Sequence, residues 1–146
     1  MKSGWLSVIT ALALAACNAV PLVETGSFPA VSSQECLATA ESYRTHRWTG
    51  SGANLKHGPD SRGVQVDTPD STYQKPGAIP GWWRTDEENE GVPYQWGGFS
   101  TLAQFDAGLR AGKAAGDVYT NEKRRLLDNA VSSEAVGIDC SGFISR

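Results

Sequence analysis

The residues best equipped to do chemistry stand near one end of the chain, in the run Gly137-Ile138-Asp139-Cys140-Ser141-Gly142-Phe143. Cysteine attacks as the thiolate, a minor species at neutral pH unless its surroundings favour the anion. Aspartate is a preferred N-cap residue, so Asp139 predicts a helix that begins at Cys140. The unpaired N–H groups and the dipole at that helix end favour negative charge on the sulfur. The backbone N–H of Cys140 is also placed to serve an oxyanion, and Gly142 would permit close approach of a substrate backbone. The chemistry implied is attack on a carbonyl through a covalent intermediate. Taken alone, this run reads equally well as a small buried hydrophobe that follows an aspartate. A further reading joins Cys140 to Cys36 in a disulfide, which an exported chain would permit.

A thiol nucleophile needs a base, and the chain offers two histidines, His46 and His57. His46 falls near the end of a predicted helix, where a positive or polar group suits the dipole. His57 sits in the turn-like stretch Asn54-Leu55-Lys56-His57-Gly58-Pro59-Asp60. Neither stretch looks like a catalytic strand, and a structural or surface role is expected for both. There is no metal-ligand spacing, and the lone Gly97-Gly98 pair makes no phosphate-cradling loop, so neither metal nor cofactor is expected.

Upstream of the cysteine lies Val92-Pro93-Tyr94-Gln95-Trp96-Gly97-Gly98. The pair Pro-Tyr-x-Trp-Gly-Gly then Asp-Cys-Ser-Gly-Phe resembles the NlpC family of papain-like cysteine peptidases, with both motifs in the family's order. The resemblance implies an α+β fold, a papain-like core of helix plus sheet, in which Cys140 heads the first long helix as nucleophile. It implies that Asp139 and Ser141 help hold the free amine of a cell-wall stem peptide, and that Tyr94 and Trp96 line the site. The implied reaction is hydrolysis of a peptide bond in peptidoglycan, often between γ-D-glutamyl and a diamino acid.

The sequence departs from that family's pattern twice. The link from Gly98 to Asp139 is much longer than usual, which predicts a helical insertion at about residues 100–136. The family's histidine, the polar residue that orients it and the strands that carry them would all follow Arg146. The expectation is therefore a domain over residues 32–146 that is truncated after the start of the nucleophile helix. It should be mostly helix and loop, and weak or inactive as a peptidase by itself. A non-catalytic cell-wall-binding or structural envelope lipoprotein is the alternative, gripping peptides through Tyr94, Trp82 and Trp83.

Several elements must position these residues. Ser32-x-x-Glu35 is a capping-box pattern ahead of Cys36, Leu37, Ala40, Tyr43 and Arg47 at helical spacing, which predicts a helix over 33–47. Residues 49–93 are rich in Gly, Pro, Asp and Ser, with a possible short strand at Gly63–Asp67 and an acidic surface loop at 84–91. Within this stretch Trp82 and Trp83 either pin the loop to the core or form a wall of a groove. Thr101-x-x-Gln104 caps a helix carrying Leu102, Phe105 and Leu109. Another helix is expected from Thr120 to about Ser133, with Leu126, Leu127, Ala130 and Val131 on its buried side and Glu122–Arg125 on its solvated side.

The first sixteen residues stand apart from the fold. Lys2 precedes an uncharged run of twelve residues, Trp5 to Ala16, too short to span a bilayer but suited to a signal peptide. It ends in Leu14-Ala15-Ala16-Cys17, which resembles the bacterial lipobox, so residues 1–16 read as a lipoprotein signal and Cys17 as the lipidated residue. Residues 17–31 read as a tether. The expected location is the periplasmic side of a bacterial envelope, at the outer membrane, with peptidoglycan stem peptides as partner. The formal net charge of −3 and the lack of a basic stripe exclude a nucleic-acid binder.

Overall fold

Each helix starts where a side-chain oxygen takes up an N–H that the first turn leaves unpaired. In the computed structural model, which describes residues 30–75, 77 and 79–146, helix α1 spans Ser33–Arg44 behind the Ser32 cap. The reciprocal box forms as the sequence implies: Ser32 N–H donates to Glu35 at 2.7 Å, and Glu35 N–H donates to Ser32 Oγ at 3.2 Å. Helix α2, Leu102–Arg110, has the same box between Thr101 and Gln104. Helix α3, Asn121–Leu126, is capped by Thr120, and α4, Cys140–Ile144, by Asp139.

The strands are short and lie in three pairs. β1 (Arg47–Thr49) runs antiparallel to β4 (Glu88–Glu90), and β2 (His57–Pro59) antiparallel to β3 (Gln65–Asp67). β5 (Ala114–Ala115) runs parallel to β6 (Ala135–Val136). The architecture is α+β, mixed helix and small sheets. None of the described helices is long and apolar enough to cross a membrane.

Several sequence expectations need correction. α1 ends at Arg44, because Thr45 closes it with both its N–H and its hydroxyl on the Glu41 carbonyl, at 2.9 and 2.7 Å. Arg47 then enters β1, where its guanidinium meets Glu88 across the pair at 2.6 Å, while the alternation of the strand buries Trp48. The expected acidic loop therefore contributes strand β4. Of the helix positions singled out, Tyr43 is buried, whereas Cys36 and Leu37 are exposed. The strand expected at Gly63–Asp67 begins only at Gln65, since Gly63 has φ +81° and turns the chain back from β2.

Trp48, Trp83, Phe105, Ala115 and Val136 form the main core cluster. Trp48 meets Trp83 at 5.5 Å and the edge of Phe105 at 5.2 Å between ring centroids. Each indole N–H is satisfied: Trp48 donates to the Gly91 carbonyl at 2.8 Å and Trp83 to that of Ala115 at 3.1 Å. Burial of each such ring contributes on the order of 2–3 kcal/mol. Phe105, Ala115 and Val136 all belong to the segment expected as an insertion, so that segment is part of the core. The signal and Cys17 lie outside the described residues, and of the tether only Ala30 and Val31 are described, both exposed.

Candidate active site

The two motifs meet through their backbones. Ile138 N–H donates to the Pro93 carbonyl, and Gln95 N–H to that of Ile138, each at 3.2 Å. Asp139 N–H donates to the Gly98 carbonyl at 3.0 Å, and Ser100 N–H to that of Gly137 at 3.1 Å. The contact is close enough that a Cβ at Gly142 would overlap the Gly98 carbonyl oxygen. Gly97 makes the preceding turn at φ +66°, a conformation open to glycine at little cost. Residues 93–98 and 138–142 thus form one unit, and the glycines of both motifs are what permit it.

Cys140 occupies the first position of α4 and is exposed. Asp139 caps that helix, accepting from Gly142 N–H at 2.6 Å and from the Ser141 hydroxyl at 2.7 Å through the same oxygen, Oδ1. Cys36 and Cys140 are both unbonded and exposed. Tyr94 and Trp96 lie on either side of the buried Gln95. The Tyr94 hydroxyl is pushed up to about 12, first by burial and then by the charges of Asp139 and Cys140, so it stays a neutral donor beside them. The Trp96 indole donates to the Leu127 carbonyl at 3.3 Å, and its ring sits against Tyr119 at 5.5 Å. Backbone pairing thus sets the segment of Tyr94 and Trp96 against that of Asp139, Cys140 and Ser141. A cavity of about 260 Å³ is lined by Trp96, Asp139 and Ser141 with Phe99, Leu127 and Asp128.

Neither histidine reaches the thiol. His46 Nε2 lies 2.7 Å from Asp106 Oδ1, with its ring edge-on to Phe105. His57 Nε2 lies 2.9 Å from Asp70 Oδ2, and its ring stacks on Tyr73. Both hold carboxylates, as the structural reading expects. The tryptophan pair divides its roles. Trp83 is fully buried and touches no solvent, so it cannot grip a ligand, whereas Trp82 is 45% exposed and lines a second cavity with Tyr94.

Two residues that the sequence does not single out, Asp117 and Lys123, support the site. Asp117 N–H donates to the Tyr94 carbonyl at 2.8 Å, and its own carbonyl accepts from Trp96 N–H at 2.9 Å. It therefore clamps the segment that carries both aromatic site residues. Its carboxylate accepts from Asp67 N–H at 3.0 Å and pairs with Lys123. Burial pushes its carboxyl up to about 6, against the pull of the Lys123 ammonium. Both partners are almost wholly buried, and Asp117 Oδ2 has no hydrogen-bond partner.

Glu122, Arg124 and Arg125 are exposed and Ala130 is buried, as expected, but Lys123, Leu126 and Leu127 lie on the opposite side from the one expected. α3 stops at Leu126, and Leu127 takes φ +50°, so the helical spacing is not carried through and Leu126 and Leu127 both face solvent. One sequence feature does mark Lys123. The caps of α1 and α2 are followed at the third helical position by Glu35 and Gln104, which close their boxes, but Thr120 is followed there by a lysine. Comparison with protein-family models, with curated proteins and with solved structures finds no match to this chain.

Proposed function

We propose that the chain carries the nucleophile of a peptidoglycan-directed cysteine endopeptidase of papain-like, NlpC type. The observation that supports this reading is the interlock of Pro93–Gly98 with Ile138–Gly142, with an exposed Cys140 at the start of the helix that Asp139 caps. In the reaction the Cys140 sulfur bonds to the amide carbonyl carbon and the C–N bond breaks. The thiol proton leaves through a base and returns to the departing amine, and water then cleaves the thioester. The Cys140 N–H, unpaired within its helix, supports the oxyanion. Asp139 and Ser141 hold the free amine of the stem peptide, and Tyr94 and Trp96 bound the groove. The lipid-anchored envelope location read from Cys17 agrees with such a substrate.

The base is a different matter, because His46 and His57 are both engaged by carboxylates away from the sulfur. Hydrolysis by residues 1–146 alone is expected to be negligible. The test is therefore covalent labelling. A stem-peptide chloromethyl ketone should alkylate Cys140 about tenfold or more faster than Cys36, because bound substrate raises the local concentration of the electrophile. Iodoacetamide should show no such preference. Equal labelling of the two thiols by the peptide reagent, read by peptide mass spectrometry, would sink the proposal.

A further inference from the structure

Next to the cysteine site is a second cavity, about 310 Å³, lined by Pro69, Tyr73, Ile79, Pro80, Trp82, Tyr94, Val118 and Tyr119. Its side chains carry no charge. Their hydrogen-bonding groups are the Trp82 indole N–H and the phenol hydroxyls of Tyr73, Tyr94 and Tyr119, and among the described residues none of these has a protein partner. Trp82 and Tyr119 are both close to half exposed. Aromatic faces left open around a cavity are costly in water and mark a binding surface.

The wall is built, not draped. Trp82 N–H donates to the Pro69 carbonyl and Ser71 N–H to that of Trp83, each at 2.8 Å. The Asp70 carboxylate, almost fully buried, accepts from the Thr68 hydroxyl at 2.6 Å and from Thr72 N–H at 2.8 Å. The neighbouring Trp83 anchors the segment in the core, while Trp82 rests edge-on against Trp48 at 6.2 Å and shows its other surface to solvent. Tyr73 is backed by the stacked ring of His57. A display fixed in this way loses little entropy when a ligand binds.

The lining selects its occupant. The absence of charge disfavours carboxylates and ammonium groups, which would lose hydration without an ion partner. A purely aliphatic group would leave three hydroxyls unused. A neutral sugar ring satisfies both, with C–H faces for Trp82 and Tyr119 and hydroxyls for the phenols, which both donate and accept. We propose that this cavity is a carbohydrate subsite that takes a neutral pyranose ring. The subsite stands on its own geometry and does not require Cys140 to be a nucleophile.

The test uses the full chain, labelled with ¹⁵N, titrated with N-acetylglucosamine trimer and separately with a blocked apolar peptide, acetyl-Ala-Leu-amide. The expected result is a saturable shift of the Trp82 indole resonance with the sugar only, the resonance being assigned by its loss in Trp82→Phe. Tyr73→Phe and Tyr119→Phe remove one hydroxyl each without changing the ring, and each should weaken the sugar about fivefold. A saturable response to the peptide and none to the sugar overturns the proposal. So does no response to either probe, or sugar binding unchanged in both phenylalanine variants.

Discussion

Substitution of Lys123 by methionine tests whether the buried ion pair holds the Tyr94–Trp96 segment in place. In the native chain the Lys123 ammonium bonds Asp117 Oδ1 and the Val118 carbonyl, and Asp117 is fully buried. Methionine fills the aliphatic volume and leaves the Asp117 carboxylate with one hydrogen bond, from Asp67 N–H at 3.0 Å. Removing one partner of a buried pair costs about 3–5 kcal/mol, because a desolvated charge is left behind. That is a large part of the total stability expected of a domain this size. Urea unfolding followed by tryptophan fluorescence should show the loss at pH 7. The double variant Asp117→Asn with Lys123→Met should recover most of it, since no charge remains. A loss in the single variant below about 0.5 kcal/mol, within the range of ordinary surface changes, would refute the reasoning, as would a double variant less stable than the single.

Asp117 also predicts a pH dependence. Its folded carboxyl sits at about 6 against an ordinary 3.8, so between these values the folded chain keeps a proton that the unfolded chain has released. Stability from this group is therefore present below about pH 4 and is lost as pH rises to about 6, by about 3 kcal/mol, and Asp117→Asn should remove that fall from the unfolding profile. Gly142→Ala should separate the two motifs, because its Cβ would overlap the Gly98 carbonyl oxygen; a melting temperature within a degree of wild type would contradict the interlock. Trp83→Ala, which empties a fully buried site and orphans the Ala115 carbonyl, should cost about 3–5 kcal/mol, while Trp82→Ala costs much less in the same urea assay.

What could be read from the sequence was local. Ser32 with Glu35, Thr101 with Gln104, and Asp139 ahead of Cys140 each announce a helix start within four residues, and each forms. The juxtaposition of Tyr94 and Trp96 with Cys140 was accessible only through resemblance of two motifs, and hydrogen bonds between their backbones supply the physical reason. What escaped depended on distant partners. The Arg47–Glu88 pairing spans a long loop, so nothing near Arg47 announces a strand. Leu126 and Leu127 fit a helical stripe, but the left-handed turn at Leu127 breaks the spacing after a single short helix. Lys123 reads as one of a solvated run because its partner, Asp117, stands six residues back and outside the helix, beyond the spacing of an intrahelical pair.

The segment between the motifs is best understood through the same Asp117. β5 pairs with β6, Gln95 bridges Asp117, and Tyr94 bridges Ile138, so three extended segments each pair with the other two. One brings the aromatic residues, one leads to the cysteine, and the third belongs to the long link. Val118 N–H continues the arrangement by donating to the Asp67 carbonyl at 2.9 Å, which ties the site to the chain that builds the Trp82 wall. Deleting the link would therefore remove the clamp on Tyr94 and Trp96 together with Tyr119 and Val118 from the neighbouring cavity. If the link were only an appended elaboration, replacing residues 101–136 with a short glycine-serine loop would leave a folded chain with Cys140 still labelled by the stem-peptide reagent. The pairing predicts the opposite: a chain that loses its cooperative unfolding and labels Cys36 and Cys140 alike.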